Sequence, residues 1–168
     1  MSVKGGFRVS RLSLEELEEL FDLRSKLEGY LVRAACKNIS ESQIQLLSEY
    51  VRNSEEAVRA KNTDGIFRWN NKFHDLIQHC AGEKSRTISM IANMKEHMLR
   101  YRKSALYYID MAERTVFGHK NLLFALQLRD PDLCEFMMQK HIMEAKTNAI
   151  RISFGNHQNL GKKMDAVG

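Results

Sequence analysis

A chain of 168 residues has room for one globular domain and little more. With 43% apolar and 28% charged residues it is ordinary for a folded soluble protein and too apolar for a disordered one. The 26 basic and 21 acidic residues leave a net charge of +5, but no Lys/Arg run exceeds two residues. That scatter reads as solvated helix faces rather than a nucleic-acid or membrane surface. No apolar run is long enough to span a membrane, and residues 1–20 lack the apolar segment of a secretory signal. Cys36, Cys80 and Cys134 are far apart with no CxxC pair, which suits free thiols in a reducing cytosol, so a cytoplasmic location is expected.

Residues 1–12 read as a stub, with Gly5-Gly6-Phe7-Arg8-Val9 as a turn and the end of a strand. Ser13 and Glu16 then form a capping box, and Leu17, Leu20, Arg24, Leu27 and Leu31 place a helical stripe that should run to about Cys36. Ser40 with Gln43 repeats the box ahead of a second helix, to about Lys61, broken by Asn62-Thr63-Asp64-Gly65. A third helix carries Ile66, Asn70, Phe73, His74 and Ile77 on one face and should end near Ala81-Gly82. Ser85 is the expected cap of a long fourth helix, with Ile88, Ile91, Met94, Met98 and Tyr101, reaching to about Tyr108. A fifth is expected from about Met111 to Leu128. A sixth starts at Asp130-Pro131, an N-cap followed by Pro at N1, and continues to about Phe154 with Gly155 to end it. Residues 155–168 read as a polar tail. The expected fold is all-α, an antiparallel bundle of about six helices.

Polar side chains interrupt the stripes that should face the core. His74 follows Asn70 by one helical turn, His119 lies in line with Val116, Leu123 and Leu126, and His141 lies in line with Cys134, Met137 and Ala145. Three different helices therefore each aim an imidazole inward. Any one of them alone reads as a satisfied core histidine. Together they suit a shared cation such as zinc, nickel or manganese, with Asn70 as an oxygen donor, although a metal-free cluster stays open. His79, His97 and His157 form no comparable set. Arg24 also sits squarely on an apolar stripe. It can snorkel, pair with Glu28 one turn on, or face an anion in a cavity. Arg102 is a similar, weaker case.

These residues carry a resemblance. Leu23-Arg24-Ser25-Lys26-Leu27-Glu28 resembles the opening motif of the FCD domain, the effector-binding domain of the FadR branch of GntR-type bacterial transcription regulators. Asn70-Asn71-Lys72-Phe73-His74 resembles that family's Asp/Asn-x-x-Phe-His motif. The later histidines follow at its intervals, 45 and then 22 residues on, and His119 to Arg129-Asp130-Pro131 matches its closing stretch. The match covers about residues 13–154. Six helices rather than seven suggest the VanR-like form. Gly5–Gly6–Phe7–Arg8–Val9 resembles the end of the wing of a winged helix-turn-helix, so the DNA-reading domain is expected before Met1.

The resemblance implies metal ligands at Asn70, His74, His119 and His141, and arginines facing the effector at Arg24 and Arg102. It implies a homodimer, a small carboxylate as effector completing the metal's coordination, and control of DNA binding exerted through the winged helix. Two departures stand out. Asn70 replaces the commoner Asp, removing a negative charge, and Gly118 stands where many members have a Glu that would support the neighbouring histidine. The rival reading is a helical metalloenzyme on the same three histidines. Only Glu144, three residues after His141, offers itself there as a general base, and catalysis is not expected.

Overall fold

The computed structural model describes residues 12–155. Among them are six helices and no strand: α1 (Leu14–Asn38), α2 (Glu41–Arg59), α3 (Thr63–Cys80), α4 (Ser85–Leu106), α5 (Ile109–Gln127) and α6 (Pro131–Ser153). The all-α expectation therefore holds. The expected wing remnant, His157 and nearly all of the polar tail lie outside the described residues. No described helix is long and apolar enough to cross a membrane.

Local chemistry sets the helix starts. Both capping boxes form, with Ser13 accepting from the Glu16 amide at 3.1 Å and Ser40 from the Gln43 amide at 3.2 Å. Asp130 accepts from the amides of Asp132 and Leu133, each at 3.0 Å, ahead of Pro131. The break after α2 is shorter than Asn62-Thr63-Asp64-Gly65 suggested. Lys61 alone turns left-handed (φ 53°), and Asn62 caps α3 by accepting from the Gly65 amide at 2.9 Å. Gly65 thus lies in the first turn of α3. The expected cap at Ser85 is corrected: Lys84 holds the N-cap position of α4, without a side-chain bond to the free amides. The α4–α5 link is only Tyr107 and Tyr108, so α4 stops and α5 starts each two residues before the hydrophobic pattern suggests.

The short links fold successive helices back on one another, with α2 against α3 and α5 against α6. Helix α1 packs most extensively on α6 and also touches α3 and α4. Leu17, Phe21, Leu31, Leu47, Phe73 and Leu122, all fully buried, mark the core they share. On the outer side of the α2–α3 seam, Tyr50 and Trp69 bring their rings to 5.7 Å, with Lys72 4.8 Å over the indole. The inner side of the same α3 carries Asn70, Phe73 and His74, where α1, α3, α5 and α6 converge.

Candidate metal centre

Phe73 and His74 are neighbours on α3, and both reach inward. The Phe73 ring stacks on that of His119 from α5, centroids 4.2 Å apart at 18°, which fixes the orientation of the second imidazole. His141 arrives from α6 with its ring 5.3 Å from that of His74. Nε2 of His74 lies 3.3 Å from Nε2 of His141 and 3.4 Å from Nε2 of His119. Each of the three offers a ligating nitrogen, all within 4.8 Å of one another. Donors about 2.0–2.1 Å from a tetrahedral zinc lie about 3.3–3.4 Å apart, so the two shorter separations fit such an ion.

The protonation states fit as well. Oε2 of Glu28 is 2.6 Å from His74 Nδ1. Burial pushes the Glu28 carboxyl up, but the charge of Arg24 and the hydrogen bond from His74 outweigh it and hold it well below the usual range. Glu28 is therefore a carboxylate that can only accept, His74 donates from Nδ1, and its Nε2 lone pair faces the cluster. Burial also lowers the pKa of His74, and drives His119 and His141 well below the ordinary value, with adjacent imidazoles adding to the effect. All three are thus neutral at pH 7, the form that binds metals. Nδ1 of His119 is buried with no partner among the described residues, an uncompensated polar atom in the same cluster.

The other expected residues come to the same place. Arg24, Asn70, His74, Arg102 and His141 line one cavity of about 40 Å³. Asn70 is 6% exposed and donates to Asn71 at 3.4 Å, while its own amide oxygen accepts no hydrogen bond among the described residues. Of the three alternatives for Arg24, snorkelling fails, since the residue is 2% exposed. It pairs with Glu28, its Nε donating to Oε1 at 2.5 Å, and it also lines the cavity. Arg102 donates to Asn71 Oδ1 at 3.1 Å. His79 and His97 are exposed, and so is Glu144, the one candidate base.

Sequence reasoning undervalued Glu28. It was visible as a partner for Arg24 but not for His74, which lies 46 residues away. It gives His74 a carboxylate support but does not reach His119, the histidine beside Gly118, whose Nδ1 has no partner among the described residues. Gly118 has a different role: a Cβ there would meet Nδ1 of His141 at 2.4 Å, so the ring fills the space a side chain would take.

The FCD domain family model matches residues 19–144. The chain belongs to the FCD domain family. The HTH-type transcriptional repressor RspR of Escherichia coli K12 is 26% identical over 147 residues, which is 88% of this chain and 64% of that protein. The regulator YdhC of Bacillus subtilis is 27% identical over 75 residues, 44% of this chain and 34% of that one. The chain thus spans less than two thirds of the length of these curated relatives. Among solved structures, Escherichia coli McbR/YncC matches with a TM-score of 0.80 at 19% identity, over 90% of this chain and 72% of that one. A GntR protein of Streptococcus agalactiae matches with a TM-score of 0.64 at 22% identity, over 84% and 63% respectively. Both share the FCD domain's helical fold. Its relatives are transcription regulators rather than enzymes, in keeping with the expected kinship.

Proposed function

We propose that this FCD domain senses a small carboxylate at a divalent metal ion and passes the signal to a winged helix-turn-helix domain of a GntR-type regulator. The observation that carries this reading is the convergence of three neutral imidazoles beside a cavity lined by two buried arginines. His74, His119 and His141 would hold the ion, zinc first and nickel or manganese as alternatives, with Asn70 as an oxygen donor. When bound, the ion supplies a Lewis-acid position for an anionic oxygen.

The chain's own residues do the rest. Glu28 fixes the tautomer of His74, Phe73 fixes the plane of His119, and the ring of His141 is seated against Gly118. A guanidinium on the cavity wall can hold a carboxylate through paired N–H donors. At about 40 Å³ the cavity has room for a few water-sized groups, so a larger effector must spread the helices around it. That displacement would be the signal, limited by the ligand's differential affinity for the two arrangements. A symmetric cytoplasmic homodimer completes the reading. Phe117 and Phe124, exposed on α5, and Leu128 just past its end offer apolar surface for it.

Elemental analysis is the direct test. Protein purified without chelator should carry about one equivalent of a transition ion per chain, by the donor count of a four-ligand site. Saturation at a hundred times Kd should raise stability by about 2.7 kcal/mol. His119→Ala should lower metal content and melting temperature together. No bound metal after incubation with zinc, nickel or manganese would overturn the reading.

A further inference from the structure

The charges around the cavity do not balance, and the imbalance falls on one residue. Arg24 is matched by Glu28 at 2.5 Å, and Lys95, on the adjoining stretch of α4, by Asp75 at 3.2 Å. Arg102 is only 9% exposed, yet it makes no ion pair among the described residues. Its bond goes to the neutral amide of Asn71, and the Phe67 ring lies 5.9 Å from its guanidinium carbon. Burial, reinforced by Arg24, pushes its pKa down to about 9, so it still carries its charge at neutral pH. A buried guanidinium without a carboxylate is costly, and an anionic ligand would remove the cost.

The donor set adds a second uncancelled charge. Three imidazoles and the Asn70 amide are all neutral, so a divalent ion held there would keep its full charge. An Asp at position 70 would have cancelled one unit of it. A monocarboxylate can answer only one of the two positive centres.

We infer that the cavity selects a short dicarboxylate over a monocarboxylate, one carboxylate facing the imidazole cluster and the other paired with the Arg102 guanidinium. This rests on the metal-and-carboxylate reading above and sharpens it. Arg24, already committed to Glu28, becomes a supporting residue, and Arg102 becomes the selective one. The planar fork of a guanidinium suits a carboxylate better than a point charge does. Phe21, Ala105, Leu106 and Ala145 give the cavity apolar wall for the carbon link between the two carboxylates.

Titration calorimetry on the zinc-loaded full chain tests this with acetate, malonate and sulfate as probes. Malonate should bind at least about tenfold more tightly than acetate, the effect of one buried charge-assisted contact. Arg102→Gln should abolish that preference while metal content stays close to the parent's. Should Arg102→Gln fail to fold, as judged by lost zinc, Arg102→Lys carries the test. It keeps the charge without the fork and should reduce the malonate preference several-fold. Equal affinities for malonate and acetate in the parent would overturn the inference and leave the metal-and-carboxylate reading standing. A preference that survives both substitutions would overturn the role of Arg102. Sulfate binding as tightly as malonate would show selection by charge alone and overturn the dicarboxylate class. Failure of both carboxylates to bind zinc-loaded protein would instead overturn the proposed function itself.

Discussion

Two concave regions of this FCD domain differ in almost every respect. The groove between α2 and α5 encloses about 560 Å³ and is lined by charges of both signs, including Glu55, Arg59, Glu113 and Lys120. The cavity beside the histidines is about 40 Å³. In the groove, Lys120 and Glu55 pair at 2.5 Å with their side chains 46% and 33% exposed. In the cavity, Arg24 and Glu28 pair at the same distance with both side chains 2% exposed. Water can replace the first pair and cannot reach the second. Size therefore marks the wrong region. Chemistry concentrates where polar groups have been taken out of water and must satisfy one another.

The largest expected contrast comes from breaking each pair. Glu28→Ala leaves the Arg24 guanidinium buried without its carboxylate, and should cost about 3–5 kcal/mol in urea denaturation. It should also loosen metal binding about 10–100-fold, because His74 loses the group that sets its tautomer. Unchanged stability would mean that water reaches Arg24 after all.

Acid should separate the two regions next. The unfolded imidazoles titrate near about 6.5, whereas burial keeps those of His74, His119 and His141 lower in the fold. Below that pH the unfolded chain binds more protons than the folded one. Stability of metal-stripped protein is thus fully present above about pH 6.5 and lost as pH falls toward the folded values. The loss approaches about 1.4 kcal/mol per pH unit for each imidazole. Denaturation midpoints measured between neutral pH and pH 5 check this, and a flat profile would mean the three rings are solvated.

The smallest effect belongs to the groove. Lys120→Ala should change stability by no more than about 1 kcal/mol and leave metal content alone. A larger loss would show that the groove holds its charges in a fixed arrangement, and the contrast would narrow.

The elements and their caps were legible because they are local: Ser13, Ser40 and Asp130 declare three helix starts within a turn of themselves. So were the inward histidines, since periodicity says which face of a helix a residue occupies. What periodicity cannot supply is the partner across the bundle. Glu28 meeting His74, and His141 occupying the space above Gly118, depend on how α1, α3, α5 and α6 pack. The same limit applies to Arg24 and Arg102, which look alike along their helices. Only packing shows that one is neutralised and the other is not. The start of α4 misled for a different reason: Ser85 is a good capping residue, but the chain enters the helix one residue earlier, at Lys84.

Trp69, the sole tryptophan of the chain, sits immediately before Asn70 on α3, at the seam with α2. Its indole lies against Tyr50, with Lys72 and Arg68 4.8 and 4.9 Å from the ring. Light emitted by this protein under indole excitation therefore comes from a single, known place. Arg68 and Lys72 travel with the indole on α3, whereas Tyr50 belongs to α2, so a rotation or slide of α3 against α2 would alter the Trp69–Tyr50 contact and with it the colour or brightness of that signal. The domain carries its own optical gauge of whether the helix bearing Asn70 and His74 has moved, and needs no attached dye to read it.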